Sequence, residues 1–552
     1  MKIRFFRLAL LACSLFSVYS AAAQTRADVY AITGARIVTV SGETIEKGTV
    51  VVRDGLIEAV GASARVPADA RVLDGTGLTV YPGFIDALTN LGLQTPPARP
   101  PTGPGPQAAQ QSQQNASSSN YPVGLRPEET AFDQLKAGEA QFETNRNIGF
   151  TTALTIGRDG VFNGQSAIIN LAGGSVSEMI VKAPFAQHFT FRTVPGNYPV
   201  SLLGTFSALR QMLLDARRLD AQQRAYEKDP RGLKRPESDR SLEALIPIVN
   251  GAMPIVFQAN AEREIVRALD LAREFKLKAI IAGGQEAWKV APRLKAQDVP
   301  VLLSLNFPKR TAAASAEADP ESLELLRFRA ETPKGAARLA AAGVRFAFQT
   351  GGLANVNDFF ANAQKTTENG LSREAAVRAM TLAPAQIFGL DNRLGSIEAG
   401  KIANLTVLRG DVFAKDRAVT HVFVDGRLFE QKEKPKTPMT GPTTGGTATP
   451  ALAAVGGNYS ITIEIPGQTM PGTLALVQQG ATLSGTFQTQ MTGTAQIRNG
   501  RVTSEGFSFS ASIEFGGSQI DITVTGRVAG NQITGTIDSP QGTIPFTGTK
   551  NP

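Results

Sequence analysis

Cysteine and histidine are nearly absent from this sequence. The chain of 552 residues has one cysteine, Cys13, and two histidines, His188 and His421. A single cysteine excludes an intramolecular disulfide and a thiolate metal site. Two histidines exclude every metal centre that needs three or more imidazoles.

Long apolar runs are also missing after the N-terminus, so no later stretch predicts a transmembrane helix. Residues 1–23 predict a secretory signal, because basic residues precede a short apolar core and small residues end it. We expect cleavage near Ala23 and an exported protein, periplasmic or secreted. A lipoprotein attached through Cys13 is the alternative.

The charge balance does not indicate a nucleic-acid partner. The formal net charge is +8, part of which lies in the predicted signal. The most basic cluster, residues 228–240, alternates with acidic residues and contains no aromatic side chain, as a solvated surface does. We therefore expect a small-molecule ligand instead.

Two flanking regions predict one shared sheet around a central barrel. Residues 24–80 and 395–433 contain short apolar strands with Asp-Gly turns, and we expect them to form a composite β-sandwich. Residues 81–394 alternate short apolar runs with helical patterns. The runs predict strands at, among others, 167–171, 279–282 and 345–349, and one of the predicted helices covers 372–388. This alternation favours a TIM-like (β/α)8 barrel, and the whole is of the α/β class.

The remaining segments differ sharply in composition. Residues 94–124 are rich in Pro, Gln and Ser, and we predict a disordered insertion there. Residues 434–455 predict a linker. Residues 456–552 alternate polar and apolar residues between regularly spaced turns, so they predict a separate small antiparallel β-barrel.

Three spaced motifs flank the predicted barrel: Tyr81 to Asp86 (YPGFID), Gly400 to Leu405 (GKIANL) and Val422 to Arg427 (VFVDGR). They resemble motifs of the amidohydrolase superfamily, close to its imidazolonepropionase-like branch. The resemblance covers about residues 29–432 and not the C-terminal β domain. It implies a β/α barrel flanked by a composite sandwich, and nominally a hydrolase of carbon–nitrogen bonds other than peptide bonds.

The resemblance also implies a catalytic zinc or a similar divalent metal, which would activate water for hydrolysis. The positions that correspond to the metal ligands and the catalytic carboxylate are instead Leu88, Asn90, Gln258, Gly283 and Gly351. We therefore predict no bound metal, no other cofactor, and weak or no metal-dependent activity.

Four residues near these positions are candidates for lining the barrel pocket: Asp86, Asn90, Gln258 and Thr350. No catalytic residue is assigned, and a lone His188 on an apolar strand favours a core histidine over a ligand. Two alternatives stay open at this point. One is a hydrolase that works with these four residues; the other is a protein that binds a ligand or surface through the barrel pocket or the C-terminal domain. A homo-oligomer and pairing with an active relative are both open as well.

Overall fold

The structure is a computed structural model that describes residues 29–93, 121, 124–138, 140–157, 160–193, 198–309, 321–353, 355–414, 416–431, 453–465, 468–489, 493–503, 506–515, 518–539 and 542–551. The predicted signal peptide, nearly all of the predicted insertion and most of the predicted linker lie outside these residues. The chain divides into two compact units between Pro435 and Lys436, and each is described by itself.

The strands of the first unit, in chain order, are β1 (Tyr30–Ile37), β2 (Ile45–Arg53), β3 (Leu56–Gly61), β4 (Arg71–Asp74), β5 (Leu78–Pro82), β6 (Phe84–Thr89), β7 (Phe150–Thr155), β8 (Phe162–Gln165), β9 (Ala167–Asn170), β10 (Ile180–Lys182), β11 (Gln187–Thr190), β12 (Ile255–Ala259), β13 (Ala279–Gly283), β14 (Val301–Ser304), β15 (Phe346–Gln349), β16 (Leu405–Arg409), β17 (Ala418–Val424) and β18 (Arg427–Glu430).

The α-helices of this unit are α1 (Ala140–Asn147), α2 (Val176–Met179), α3 (Leu202–Lys228), α4 (Arg240–Val249), α5 (Glu262–Phe275), α6 (Ala291–Ala296), α7 (Leu323–Glu331), α8 (Gly335–Ala341), α9 (Asp358–Glu368), α10 (Arg373–Ala379) and α11 (Leu382–Phe388). Short 3-10 helices occupy Phe132–Gln134, Ala287–Val290 and Thr332–Lys334. Within the described ranges, no helix has both the length and the apolar character needed to cross a membrane.

Strands from both ends of the first unit share one eight-stranded sheet. Its order is β18-β17-β16-β5-β1-β2-β3, with β4 paired to β1. The join is antiparallel between β5 and β16, where Val80 lies opposite Val407. Both side chains are buried in one apolar cluster with Ile32 and Phe423, so residues far apart in the sequence stabilise the same core.

The centre of the unit is a closed barrel with eight strand positions (staves) around its wall. In order they are β6, β7, the consecutive strands β8 and β9 together, β11, β12, β13, β14 and β15. Strands β6 and β7 are parallel, and β11 to β15 form a second parallel set. The segment from β8 to β9 joins the two sets, because β8 pairs with β11 and β9 pairs with β7. A backbone hydrogen bond of 3.1 Å from Gly351 N to Leu88 O links β15 to β6. The predicted TIM-type barrel is confirmed.

One stave differs from the all-parallel barrel that strand–helix alternation predicts. The β8–β9 stave runs antiparallel to both of its neighbours. Only a short loop separates Thr155, where β7 ends, from Phe162. A parallel crossover needs a dozen or more residues, usually with a helix, so this loop can only return the chain in the opposite direction.

Two apolar layers hold the barrel. Inside it, alternate strand residues such as Leu154, Val256, Ile280 and Leu302 form one buried cluster. Outside it, residues between them, such as Phe257, pack against the surrounding helices in a larger cluster. This division follows from the two-residue period of a strand, which points successive side chains alternately into the barrel and toward the helices.

The second unit is a closed antiparallel β-barrel, which confirms that prediction. Its strands are β19 (Gly457–Ile465), β20 (Gln468–Gln479), β21 (Thr482–Thr489), β22 (Gly493–Gln496), β23 (Arg498–Val502), β24 (Phe507–Phe515), β25 (Ser518–Ala529), β26 (Gln532–Ser539) and β27 (Gly542–Lys550). The ring closes because β19 pairs with β27 and β20 pairs with β21, while β22 lies off it. Apolar side chains, among them Tyr459, Phe487 and Phe509, fill the interior.

Candidate functional site

A cleft of about 500 Å³ opens where the parallel barrel strands end. Its walls come from residues at or just after the carboxyl ends of β6, β7, β11, β12, β13, β14 and β15. Strand ends on this face of a TIM-type barrel carry the functional side chains, because the strands fix their positions while the loops vary. This cleft is therefore the candidate site.

Side-chain amides dominate the polar lining. The lining amides are Asn90, Gln258, Asn260, Gln285, Asn306 and Gln349. Ser304 adds a hydroxyl, and Arg192 is the one charged residue among the described lining residues. These lining residues include no carboxylate, imidazole or aromatic ring.

Three of these amides are anchored by the barrel itself. Each donates one amide hydrogen to a backbone carbonyl oxygen: Asn90 to Ile156 at 3.1 Å, Gln285 to Asn306 at 2.7 Å and Gln349 to Leu302 at 2.9 Å. The side-chain oxygens remain as acceptors, since each carbonyl oxygen has two lone pairs. Gln258 is half-buried and, like Asn260 and Asn306, makes no side-chain hydrogen bond with a described residue.

Arg192 lies just beyond the end of β11. Thr190 is paired with Gln258 on β12, so two residues later Arg192 comes alongside the end of that neighbouring strand. Its backbone carbonyl accepts a hydrogen bond from Thr205 Oγ1 at 3.4 Å, which ties this stretch to the start of α3. The guanidinium is exposed and forms no ion pair with any residue that the structure describes.

Asp86 and Thr350 are bonded to each other and lie outside the cleft lining. Asp86 is 1% exposed. Its Oδ1 accepts from the backbone N–H of Thr350 at 2.9 Å and of Leu88 at 3.3 Å, and its Oδ2 accepts from the Thr350 hydroxyl. The pair thus joins the first and last staves. Of the four candidates, Asn90 and Gln258 line the cleft, whereas Asp86 and Thr350 close the barrel.

Burial controls the charge of Asp86. Removal from water raises the pKa of its carboxyl to about 7, although the hydrogen bonds from Thr350, Leu88 and Thr89 act in the opposite direction. Desolvation favours the neutral form of any carboxylic acid. The group is nonetheless not positioned to act on a ligand in the cleft, because its oxygens are engaged at the barrel seam.

His188 is an interior residue of the barrel wall. It is fully buried, and its Nε2 lies 2.9 Å from Ser166 Oγ. Burial lowers the pKa of its imidazole to about 3, so the ring is neutral at physiological pH. It is not in the cleft lining. The other histidine, His421, lies on β17 in the flanking sheet, with its Nδ1 3.0 Å from Thr420 Oγ1.

The residues around the cleft do not fit a catalytic zinc ion. Leu88 has no donor atom, and Asn90 and Gln258 offer only neutral amide oxygens, which are poor zinc ligands. The described part of the chain contains no group of three or more His, Cys, Asp or Glu that could hold a metal. Elsewhere in the chain there is no further histidine, and the one cysteine is Cys13.

Two glycines at the rim, Gly283 and Gly351, lie close to lining amides. Gly283 has φ of +95°, and a Cβ on it would lie 2.4 Å from Asn260 Oδ1. A Cβ on Gly351 would lie 2.4 Å from Gln349 Oε1. A side chain at either position would therefore have to displace the neighbouring amide.

Sequence reasoning missed Arg192 and four of the six amides. Arg192 had a usable signal, since it is the first charged residue after the buried strand run that begins at Gln187. Isolated asparagine and glutamine residues carry no comparable signal, because they are equally typical of loops.

Comparisons with known proteins agree on the barrel. A sequence model of the amidohydrolase family matches residues 322–429. The solved structure of an amidohydrolase from Thermotoga maritima MSB8 aligns with a TM-score of 0.61 at 24% identity, covering 73% of this chain and all of that one. At this identity the likeness shows a shared fold.

A curated relative matches over a short segment. Dihydroorotase from Anaeromyxobacter dehalogenans (strain 2CP-C) is 41% identical over 64 residues, which is 12% of this chain. The match spans 15% of the length of that enzyme. This short match and the family match agree with the resemblance carried by the three motifs.

Proposed function

We propose that this chain, a relative of the amidohydrolase superfamily, uses its barrel to bind a small polar molecule and lacks the superfamily's metal-dependent hydrolysis. The observation that carries the proposal is the cleft lining, in which six amides and an arginine stand at the strand ends. The nominal activity, hydrolysis of carbon–nitrogen bonds other than peptide bonds, is the alternative.

The chemistry of the lining supports binding over catalysis. Side-chain amides donate and accept hydrogen bonds but do not titrate near neutral pH. General acid–base catalysis needs a titratable group within hydrogen-bond reach of the reacting atom. The buried titratable groups of the barrel, Asp86 and His188, lie outside the lining.

Two measurements distinguish the hydrolase hypothesis from the binding hypothesis. The purified protein is incubated with zinc, dialysed, and analysed for metal by mass spectrometry; a panel of cyclic amides and dipeptides is then assayed for turnover. We expect far less than one zinc per chain and no zinc-dependent turnover. One tightly bound zinc per chain with turnover would contradict the proposal.

A second candidate function belongs to the second unit. Its interior is filled, so a ligand must bind outside, where a concavity of about 830 Å³ is present. Five exposed polar side chains cross this face in one register row, in the order Gln488, Thr473, Ser460, Thr549 and Gln532. A surface rich in hydroxyls and amides favours attachment to a glycan.

The unit has its own core, so it can be tested alone. Residues 453–551 are incubated with insoluble glycans and with cell-envelope fractions, in parallel with residues 24–433. Glycan retention by the first fragment, and its loss in Thr473→Glu, would support this second function. Retention by residues 24–433 alone would contradict it.

Export and partner proteins are further proposals. The signal pattern of residues 1–23 supports a periplasmic or secreted protein, and cell fractionation with detection of the mature N-terminus near Ala23 tests this. Self-association and pairing with an active relative stay predictions, and light scattering of the purified protein tests the first of them.

A further inference from the structure

We propose that the ligand of the barrel cleft is a small aliphatic monocarboxylate that also carries neutral hydroxyl or amide groups. This inference rests on the proposed binding function and specifies the class of ligand. It follows from three properties of the described lining: one positive charge, several neutral hydrogen-bonding groups, and no aromatic ring.

The single charge selects an anion. The Arg192 guanidinium is exposed, lines the cleft and lacks an acidic partner among the described residues. A planar guanidinium binds a carboxylate through two parallel hydrogen bonds. No described lining residue is acidic, so a cationic ligand would have no counter-charge.

One arginine also limits the ligand to one negative charge. A second carboxylate would lie among amide oxygens and aliphatic side chains. A charge without an opposite charge or sufficient hydrogen-bond donors is disfavoured in such a partly desolvated cleft. We therefore expect a monoanion to bind more tightly than the corresponding dianion.

The neutral part of the ligand is recognised by Gln258 and the amides beside it. Gln258 has both donors and its acceptor available, because no described residue uses them. An amide forms paired hydrogen bonds with a group that both donates and accepts, which hydroxyl and amide groups do. Asn260, on the same wall, offers a second such group.

The apolar part of the lining is aliphatic. It includes Leu88, Ile156 and Leu353. A cleft of about 500 Å³ accommodates a small molecule. Planar aromatic ligands are normally stacked on aromatic rings, and here none is in the described lining. An aliphatic body is thus the best match.

The test measures binding of defined compounds to the full-length protein by isothermal titration calorimetry. Gluconate represents the hydroxylated monocarboxylates, and N-acetylglycine represents the amide-bearing ones. Sorbitol is the neutral counterpart, glucarate the dianion and glucosamine the cation. We expect at least one monocarboxylate to bind, and the counterparts of other charge to bind about tenfold more weakly or not at all.

Two variants with matched controls locate the contacts. Arg192→Gln should weaken monocarboxylate binding by about tenfold or more, whereas Arg218→Gln, at an exposed arginine on α3, should leave it unchanged. Gln258→Ala should weaken binding severalfold, and Gln222→Ala on the same helix as Arg218 should not. Circular dichroism verifies that each variant is folded.

The outcomes separate this inference from the function on which it rests. Binding of sorbitol equal to that of gluconate, or binding that survives Arg192→Gln, would overturn the inference but leave a binding function intact. Failure of both monocarboxylates to bind at millimolar concentration would also overturn the inference. Zinc-dependent turnover, measured separately, would instead overturn the binding function.

Discussion

Replacement of Asp86 by asparagine should make the stability of the first unit rise more steeply with pH. In the folded protein the buried carboxyl has a pKa of about 7, against an ordinary value of 3.8. Between these values the folded state holds a proton that the unfolded state has released. The free energy of unfolding therefore falls as pH rises, by about 4 kcal/mol across this interval.

His188 acts in the opposite direction over nearly the same interval. Its pKa falls from 6.5 to about 3 on burial, so the unfolded state binds the extra proton. This group makes the free energy of unfolding rise with pH, by about 5 kcal/mol between pH 3 and 6.5. The two contributions nearly cancel between about pH 4 and 6.5.

Substituting one of the two groups makes the contribution of the other to the pH dependence of stability measurable. Asp86→Asn keeps a side chain of the same shape in the seam with Thr350, but it does not titrate. Relative to the parent protein, its free energy of unfolding should gain a slope of about +1.4 kcal/mol per pH unit between pH 4.5 and 6.5. His188→Gln should change the slope by a similar amount with the opposite sign.

The assay is urea unfolding at several pH values, followed by tryptophan fluorescence. Trp288 is the single tryptophan of the chain and lies in the first unit, so its signal reports that unit. Asp391→Asn, at an exposed aspartate of the same unit, is the control. Identical slopes for Asp86→Asn and the parent would refute the reasoning, because the hydrogen bonds would then outweigh burial.

Three smaller perturbations test single contacts. Gly283→Ala should lower the free energy of unfolding by about 1–3 kcal/mol, since its backbone is left-handed and its Cβ would contact Asn260; thermal unfolding measures this. Asn404→Ala should lower it by about 2–3 kcal/mol, because the buried amide makes three side-chain hydrogen bonds that join the barrel to the flanking sheet. Tyr459→Phe should cost about 1 kcal/mol in the calorimetric transition of the second unit, through loss of the 3.0 Å hydrogen bond to Val455 O.

Buried parallel strands were the most predictable elements. Apolar runs predicted strands at 279–282 and 345–349, and the structure has them at Ala279–Gly283 and Phe346–Gln349. A strand covered on both faces is apolar along its whole length, so a run of this kind is a strong local signal. The barrel architecture was predictable because such runs alternate with helical patterns along the chain.

Strand direction and helix breaks were less predictable. The apolar run at 167–171 predicted a strand. Its antiparallel direction and the preceding strand β8 were not predicted, because strand pairing depends on neighbours far along the chain. One helix was predicted over 372–388, where the structure has α10 and α11 separated at Met380 and Thr381. Pro384 is consistent with this break, since proline is tolerated in the first turn of a helix and disrupts a helix interior.

Of the polar lining of the candidate site, sequence reasoning predicted Asn90 and Gln258. A count of histidines indicates too few imidazoles for the superfamily's metal site whatever the alignment. The amide lining emerges only when five distant segments meet at one barrel mouth. The exclusion of Asp86 from it depends on a hydrogen bond to Thr350 across the barrel seam, which no local pattern encodes.

The geometry at the rim bears on whether a metal site could be restored. Introducing histidine at Gly283 requires a left-handed residue to accept a side chain at a point already occupied by Asn260. An acidic residue at Gly351 would in turn displace the Gln349 amide, which is anchored to β14. Substituting single ligands would therefore disturb the amide lining before it assembled a metal site. The two glycines and the neighbouring amides thus depend on each other, because a side chain at Gly283 or Gly351 would have to displace Asn260 or Gln349.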